Sequence, residues 1–291
     1  MELLKGIQVA NQITEQIMEE MKEWNGPVPH LAIVRIGERP DDLSYQRGAV
    51  KRMEKIGFAY TIFAFPADIS NDDFQKEFDA INANEGIDGI LLLRPLPKHI
   101  DERLIEQKID PVKDLDGISP MNLAKVFAAD ETGYAPCTAE AVVEMLDYAG
   151  IDLTGKRVAV IGRSLVIGRP VSMLLMKKNA TVTICHTKTV DMPKVCREAE
   201  IVVAAAGCAK MVDETYVNQN TVVIDVGINV DEDGNLCGDV AADKIADKAS
   251  LVTPVPGGVG SVTTSVLAKH LMKAAKARRN EIREEMKAGK K

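Results

Sequence analysis

No stretch of this 291-residue chain approaches the roughly 20 consecutive apolar residues that a membrane helix needs; the apolar runs at 90–93 and 201–206 are far too short. An excess of positive charge is also missing: 36 Lys and Arg stand against 43 Asp and Glu, a formal net charge of −7, so neither a nucleic acid nor an anionic membrane is an expected partner. The first 24 residues place Glu2, Lys5, Glu15, Glu19, Glu20 and Lys22 among their apolar positions, which reads as an amphipathic helix and not as a targeting segment. Cys137, Cys185, Cys196, Cys208 and Cys237 are odd in number and lack zinc or redox spacing, so free thiols in a reducing cytoplasm and no bound metal are expected. There is no internal repeat and no low-complexity tract.

What is present is globular: 46% apolar and 27% charged residues, at about twice the usual domain length. Nearly all-apolar runs at 30–36, 60–64, 86–93, 157–161, 181–185, 201–206 and 222–226 predict strands. Helical periodicity marks 43–56, 71–83, 101–108, 138–149, 168–178, 191–199 and 261–277. Buried strands alternating with helices predict an α/β fold of parallel sheets covered on both faces, the second sheet Rossmann-like and doubly wound. The boundary falls near Pro136–Thr138, giving domains at 1–138 and 139–264 with a helix over 265–285 packing back on the first and fraying at its charged end.

One motif carries chemistry. The strand at 157–161 runs straight into Gly162-Arg163-Ser164-Leu165-Val166-Ile167-Gly168-Arg169-Pro170, and a helical pattern follows. A strand, a glycine turn and a helix start can present backbone N–H groups to a phosphate. Ser164 stands where a dinucleotide fingerprint has its second glycine, so a plain strand-to-helix turn is also compatible with this string. Where an NAD-binding chain commonly carries an acid for the ribose, this one reads His186-Thr187-Lys188-Thr189; with Arg163 these residues suit a 2′-phosphate and point to NADP. Taken separately, each of them is more often just a solvated loop residue.

Longer strings carry a family resemblance. They are Asp88-Gly89-Ile90-Leu91-Leu92-Leu93-Arg94-Pro95-Leu96-Pro97, Lys113-Asp114-Leu115-Asp116-Gly117, Pro136-Cys137-Thr138, Val223-Ile224-Asp225-Val226-Gly227-Ile228-Asn229 and Thr253-Pro254-Val255-Pro256-Gly257-Gly258-Val259-Gly260. With the glycine loop they make the chain resemble, over nearly its whole length, the methylenetetrahydrofolate dehydrogenase/cyclohydrolase family of one-carbon metabolism. The resemblance implies a homodimer of two-domain subunits with folate on the first domain and NADP on the second. It further implies Tyr45 and Asp116 as the catalytic and folate-holding residues, and Pro256, Gly257 and Gly258 beside the substrate. Cofactor contacts are implied at Gly162, Arg163, Ser164, Gly168, Thr187, Lys188 and Ile228.

Two family positions are substituted. The family's folate helix carries Tyr and, four residues on, a lysine; here these are Tyr45 and Ala49. The glutamine that meets this lysine in the family is replaced by Leu93, and the next residue is Arg94 where leucine is usual. Lysine and glutamine are thus lost together, as a polar pair should be when its task is gone. Ala139 and Ser261, where the family commonly has proline, are variations at helix starts.

Hydride transfer from methylenetetrahydrofolate needs mainly alignment of two bound molecules, whereas hydrolysis of the methenyl product needs a group that moves protons. The substitutions therefore lead to an expectation of an NADP-dependent dehydrogenase whose cyclohydrolase step is weak or lost. A fully bifunctional enzyme, with Arg94, Arg47 or Lys51 replacing the amine, and a non-catalytic folate or nucleotide sensor are the alternatives. His30, His99, His186 and His270 carry no assigned role.

Overall fold

The computed structural model describes the backbone of residues 1–288 and the side chains of residues 1–279. The chain divides into two compact units: residues 1–11 with 136–263, and residues 12–135 with the chain from Thr264 onward. It opens with β1 (Glu2–Leu3) and α1 (Gly6–Glu23).

The unit that begins at Gln12 continues with β2 (His30–Ile36), α2 (Pro40–Ile56), β3 (Ala59–Phe65), α3 (Asn71–Ala83), β4 (Gly89–Leu92), α4 (Glu102–Lys108) and α5 (Pro120–Phe127). Its sheet has the order β3-β2-β4, parallel throughout. Side chains alternate across it. Ala32, Val34, Ile36, Ile90 and Leu92 face Phe74, Phe78 and Ile81 of α3 and Ile105 of α4 in one core cluster. Arg35, one step out of phase, faces α2, where its Nε donates to Gln46 Oε1 at 3.0 Å. The two crossover helices thus cover opposite faces of the sheet. Helix α3 begins at 71 because Ser70 Oγ accepts from the backbone N–H of Asp73 at 3.1 Å.

The other unit contains α6 (Cys137–Tyr148), β5 (Arg157–Ile161), α7 (Gly168–Lys177), β6 (Thr181–Cys185), α8 (Met192–Arg197), β7 (Ile201–Ala204), β8 (Val222–Asp225), β9 (Asn229–Val230), β10 (Leu236–Cys237), α9 (Ala242–Ile245) and β11 (Leu251–Val252). Six strands form a parallel sheet in the order β1-β11-β8-β7-β5-β6, and β9 pairs with β10 as an antiparallel hairpin. Ala159, Val202, Val223 and Val252 supply one buried layer, closed by Cys196 of α8 and Ile245 of α9.

The expected first domain, 1–138, needs correcting at its start. Residues 1–11 belong with the six-stranded sheet, because Glu2 and Leu3 pair in parallel with Leu251 and Val252 and add a sixth strand to it. The last helix, α10 (Thr263–Ala288), packs in the unit of β2–β4, where His270 Nδ1 donates to the Leu115 carbonyl at 2.7 Å and Arg278 Nη1 reaches Asp88 Oδ1 at 2.7 Å. The expected fraying of its charged end lies outside the described residues.

Candidate active site

In an open parallel sheet, ligands bind outside the carboxyl ends of the strands, where the chain reverses its direction of travel across the sheet. In the six-stranded sheet β6 lies on one side of β5 and β7 on the other, so that point is the mouth between β5 and β7. The glycine loop leaves β5 there. Gly162, at φ +130°, lies so close to β7's exit that a Cβ would overlap the Ala205 carbonyl oxygen, and a Cβ on Gly168 would overlap the carbonyl of Gly162. Ser164 turns its hydroxyl inward on the loop, accepting from Ile167 N at 3.1 Å and Gly168 N at 3.5 Å. It therefore closes the turn before α7, the work of a hydroxyl that a second glycine could not do. Arg163 remains exposed at the loop's start.

The turn after β6 is equally closed: His186 N donates to Thr189 Oγ1 at 2.8 Å and Lys188 N to His186 Nδ1 at 3.1 Å, with Thr187 and Lys188 exposed. Since β6 pairs with β5 in parallel register from Arg157↔Thr181 to Ile161↔Cys185, this turn and the glycine loop leave the same edge of the sheet. Ile228 follows β8 and is 70% exposed. Pro256, Gly257 and Gly258 follow β11, where the Gly257 carbonyl accepts from Gly6 N at 2.9 Å. All these residues lie on one edge of one unit.

Two acids that the sequence reading left without a role hold that edge together. Asp239, fully buried, accepts from Ala206 N at 2.6 Å and Gly207 N at 3.0 Å through Oδ2, and from Cys208 N at 2.7 Å and Asn229 Nδ2 at 2.9 Å through Oδ1. It ties the loop after β7 to the start of β9. Asp225, 3% exposed, accepts from Gly227, Asp239 and Val240 N–H groups, each at 3.0 Å. Burial pushes Asp225 up to about 6 despite those three donors, which pull it down.

Because its proton is held more tightly in the folded state than in the unfolded one, Asp225 binds extra proton between its ordinary value near 3.8 and about 6. Stability contributed by this group is thus present at the acid end and is lost as pH rises through that window, by about 3 kcal/mol at most. Native chain compared with Asp225→Asn by urea unfolding at pH 4.5 and 7 should show the native chain losing ground at the higher pH. A difference that stays flat between the two pH values would contradict this.

In the smaller sheet β3 and β4 flank β2, so the corresponding mouth lies between β2 and β4. Leu93 sits there, its N–H continuing the ladder to the Val34 carbonyl at 2.9 Å, and it is 5% exposed. Alternation places it on the α2 face. Helix α2 starts beside the same mouth and carries half-buried Tyr45 and fully buried Ala49 one turn apart. Asp114 bridges to Ile90 in parallel, so Asp116 stands two residues further toward the strand's carboxyl end. Within the Asp-Leu-Asp-Gly string the first acid is structural: Asp114 accepts from Ile118 N at 3.0 Å, Ser119 N at 2.8 Å and Asn122 Nδ2 at 2.9 Å. Asp116 is half-buried beside it.

None of the three cations considered as replacements for the family's lysine is placed for it. Arg94 points to the face opposite α2, where Nη1 meets Glu106 Oε1 at 2.9 Å and Glu102 Oε1 at 3.2 Å. Arg47 and Lys51 are exposed and lie about 200° round the helix from Ala49. Arg52, which the sequence reading passed over, does share the face of Tyr45 and Ala49, but its Nη1 donates to Thr14 Oγ1 of α1 at 2.6 Å. The signal for it was present as spacing: 45, 49 and 52 fall on one helical face.

Comparison with known proteins accords with this arrangement. Residues 4–116 match the tetrahydrofolate dehydrogenase/cyclohydrolase catalytic domain and residues 136–279 the NAD(P)-binding domain of the same family. The "Bifunctional protein FolD" of Clostridioides difficile is 50% identical over 283 residues, 96% of this chain and 98% of that one. The Campylobacter jejuni bifunctional methylenetetrahydrofolate dehydrogenase/cyclohydrolase superposes with a TM-score of 0.91 at 34% identity, covering 96% of this chain and 99% of that one. A Trypanosoma brucei dehydrogenase-cyclohydrolase solved with NADP and an inhibitor gives 0.88 at 35% identity, over 95% of this chain and 97% of the other. Among the described residues, no helix is long and apolar enough to cross a membrane.

Proposed function

Since the chain belongs to the tetrahydrofolate dehydrogenase/cyclohydrolase family, we propose that it oxidises 5,10-methylenetetrahydrofolate by hydride transfer to NADP. The observation that carries this reading is the glycine loop at the β5/β7 mouth, where Gly162 and Gly168 leave backbone room for a pyrophosphate at the start of α7. Arg163, Thr187 and Lys188 give the 2′-phosphate of NADP cations and a hydroxyl, and Ile228 borders the same edge. On the folate side Tyr45 stacks on the ring and Asp116 accepts from the pterin. Bound NADP supplies the hydride acceptor; these residues hold and align the two molecules, which is most of what the step demands.

On the hydrolysis of the methenyl product, whole-chain similarity favours the bifunctional reading, in which 10-formyltetrahydrofolate is made as well. The relatives so close in sequence carry that name. A second reading, with hydrolysis weak or lost, is favoured by one local observation: Ala49 and Leu93 bring no proton-handling group to the β2/β4 mouth, and Arg94, Arg47 and Lys51 point elsewhere.

An assay of the purified chain separates these readings. NADP should be reduced when methylenetetrahydrofolate is added, and no reduction would defeat the dehydrogenase reading and leave a folate or nucleotide sensor. Methenyl product cleared by the enzyme faster than in buffer alone supports bifunctionality; clearance at the buffer rate supports the second reading. The same proposal has the chain working as a cytoplasmic homodimer, for which exposed Val230 and Leu236 of the β9–β10 hairpin offer apolar surface.

A further inference from the structure

Arg94 does not reach for the reacting centre, yet it is firmly engaged beside the β2/β4 mouth. Its side chain is 20% exposed, and its guanidinium is held by two carboxylates of α4, Glu106 at 2.9 Å and Glu102 at 3.2 Å. Glu102 uses its second oxygen to accept from Leu96 N at 2.8 Å, so one carboxylate grips both the arginine and the backbone two residues beyond it. At the near end the Leu93 N–H is fixed to the Val34 carbonyl of β2. Between them the Pro95 carbonyl accepts from Arg39 Nη1 at 2.8 Å, and Arg39 stands immediately before α2 on the loop that leaves β2. Residues 93–96 are thereby pinned at every step, and the pins run to both structures that bound the mouth: α4 behind β4, and the β2–α2 loop across from it.

We propose that Arg94 is a positioning residue for the folate substrate: through Glu102 and Glu106 it fixes the 93–96 segment and so sets the width of the β2/β4 mouth. This rests on the reading of that mouth as the folate site. Three features separate the role from ordinary surface ion pairing, which contributes little. The arginine is mostly shielded from solvent, it meets two carboxylates at once, and one of those carboxylates is the acceptor for the loop's own amide. Burial raises Glu106 above its ordinary carboxylate value, and the charge of Arg94 opposes that rise. Removing the arginine would leave two half-buried acids facing each other with Leu96 N–H on one of them, and the segment would be free to shift. A mouth that is no longer preorganised must be ordered by the ligand, at the expense of affinity.

The test is a steady-state dehydrogenase assay on the full chain with Arg94→Leu, which installs the side chain usual in the family, Arg94→Lys and Glu106→Gln. Arg94→Leu should raise KM for methylenetetrahydrofolate about tenfold while KM for NADP and the melting temperature stay close to native, because the NADP edge lies in the other unit. Arg94→Lys keeps the charge on a shorter stem, and since a single nitrogen of Arg94 meets both carboxylates it should recover part of the loss. An unchanged folate KM in Arg94→Leu overturns the proposal, as does a rise in both KM values together with a falling melting temperature, the mark of a merely structural role. Should that variant fail to fold, Glu106→Gln decides: a raised folate KM supports the proposal and a native one overturns it. A native chain that reduces no NADP is a different failure, that of the folate reading itself.

Discussion

Gly162→Ala is expected to weaken NADP binding by at least about 100-fold, equivalent to roughly 2.7 kcal/mol. Two costs coincide at this residue. Its φ of +130° is a conformation that side chains rarely adopt, costing on the order of 1–3 kcal/mol. The added methyl would also overlap the Ala205 carbonyl, which cannot swing aside because its neighbours Ala206 and Gly207 donate to buried Asp239. Relief therefore requires the glycine loop to lift from β7, which opens the mouth and turns the amides before α7 away from the phosphate. Gly155→Ala separates the two costs, since Gly155 has φ +73° but nothing within reach of a new Cβ. That control should lose some stability and keep NADP affinity within about twofold. Titration of both variants by NADP fluorescence decides; native affinity in Gly162→Ala would mean that the loop does not hold the cofactor.

The contrast between the two glycines also shows what the sequence could carry. Strands β2, β5 and β6 were legible at their true bounds because each is a short run dominated by apolar and β-branched residues, even though β6 lies at the sheet edge and is partly open to solvent. The two-residue strands β1 and β11 were not legible, since pairing residues 2–3 with 251–252 has no local periodicity. Helix α5 was overlooked although Ser119 followed by Pro120 is a start signal, with Ser119 Oγ accepting from Asn122 N at 3.2 Å. The glycine loop after β5 was visible as strand, glycine turn and helix. What keeps its neighbours in place, the Asp225 and Asp239 carboxylates, depends on loops that only the fold brings together. Arg94 was visible as a substitution, but its direction is fixed by the ladder continuing through Leu93, so that 93 and 94 fall on opposite faces of the sheet.

Under the reading in which hydrolysis is weak or lost, Ala49→Lys combined with Leu93→Gln raises hydrolysis of the methenyl product by about 100-fold, the lower range for a positioned acid–base group, while dehydrogenase turnover changes by less than about threefold. Both positions lie on the α2 face at the β2/β4 mouth, and both are closed to solvent: Ala49 at 0% and Leu93 at 5% exposure. Lysine introduced alone would bury an ammonium against leucine, so Ala49→Lys by itself should lose stability and gain little activity. Glutamine at 93 offers that ammonium an amide oxygen, and the double variant should recover part of the lost stability, a coupling that a double-mutant cycle measures directly. Hydride transfer is spared because Asp116, Tyr45 and the NADP edge are untouched and the step asks for alignment more than for a proton acceptor. The readout is the decay of methenyl absorbance with native, single and double variants under identical buffer. A native chain that already clears the methenyl compound rapidly, with nothing added by the double substitution, would establish that another group in this chain moves the proton, and the bifunctional reading would stand.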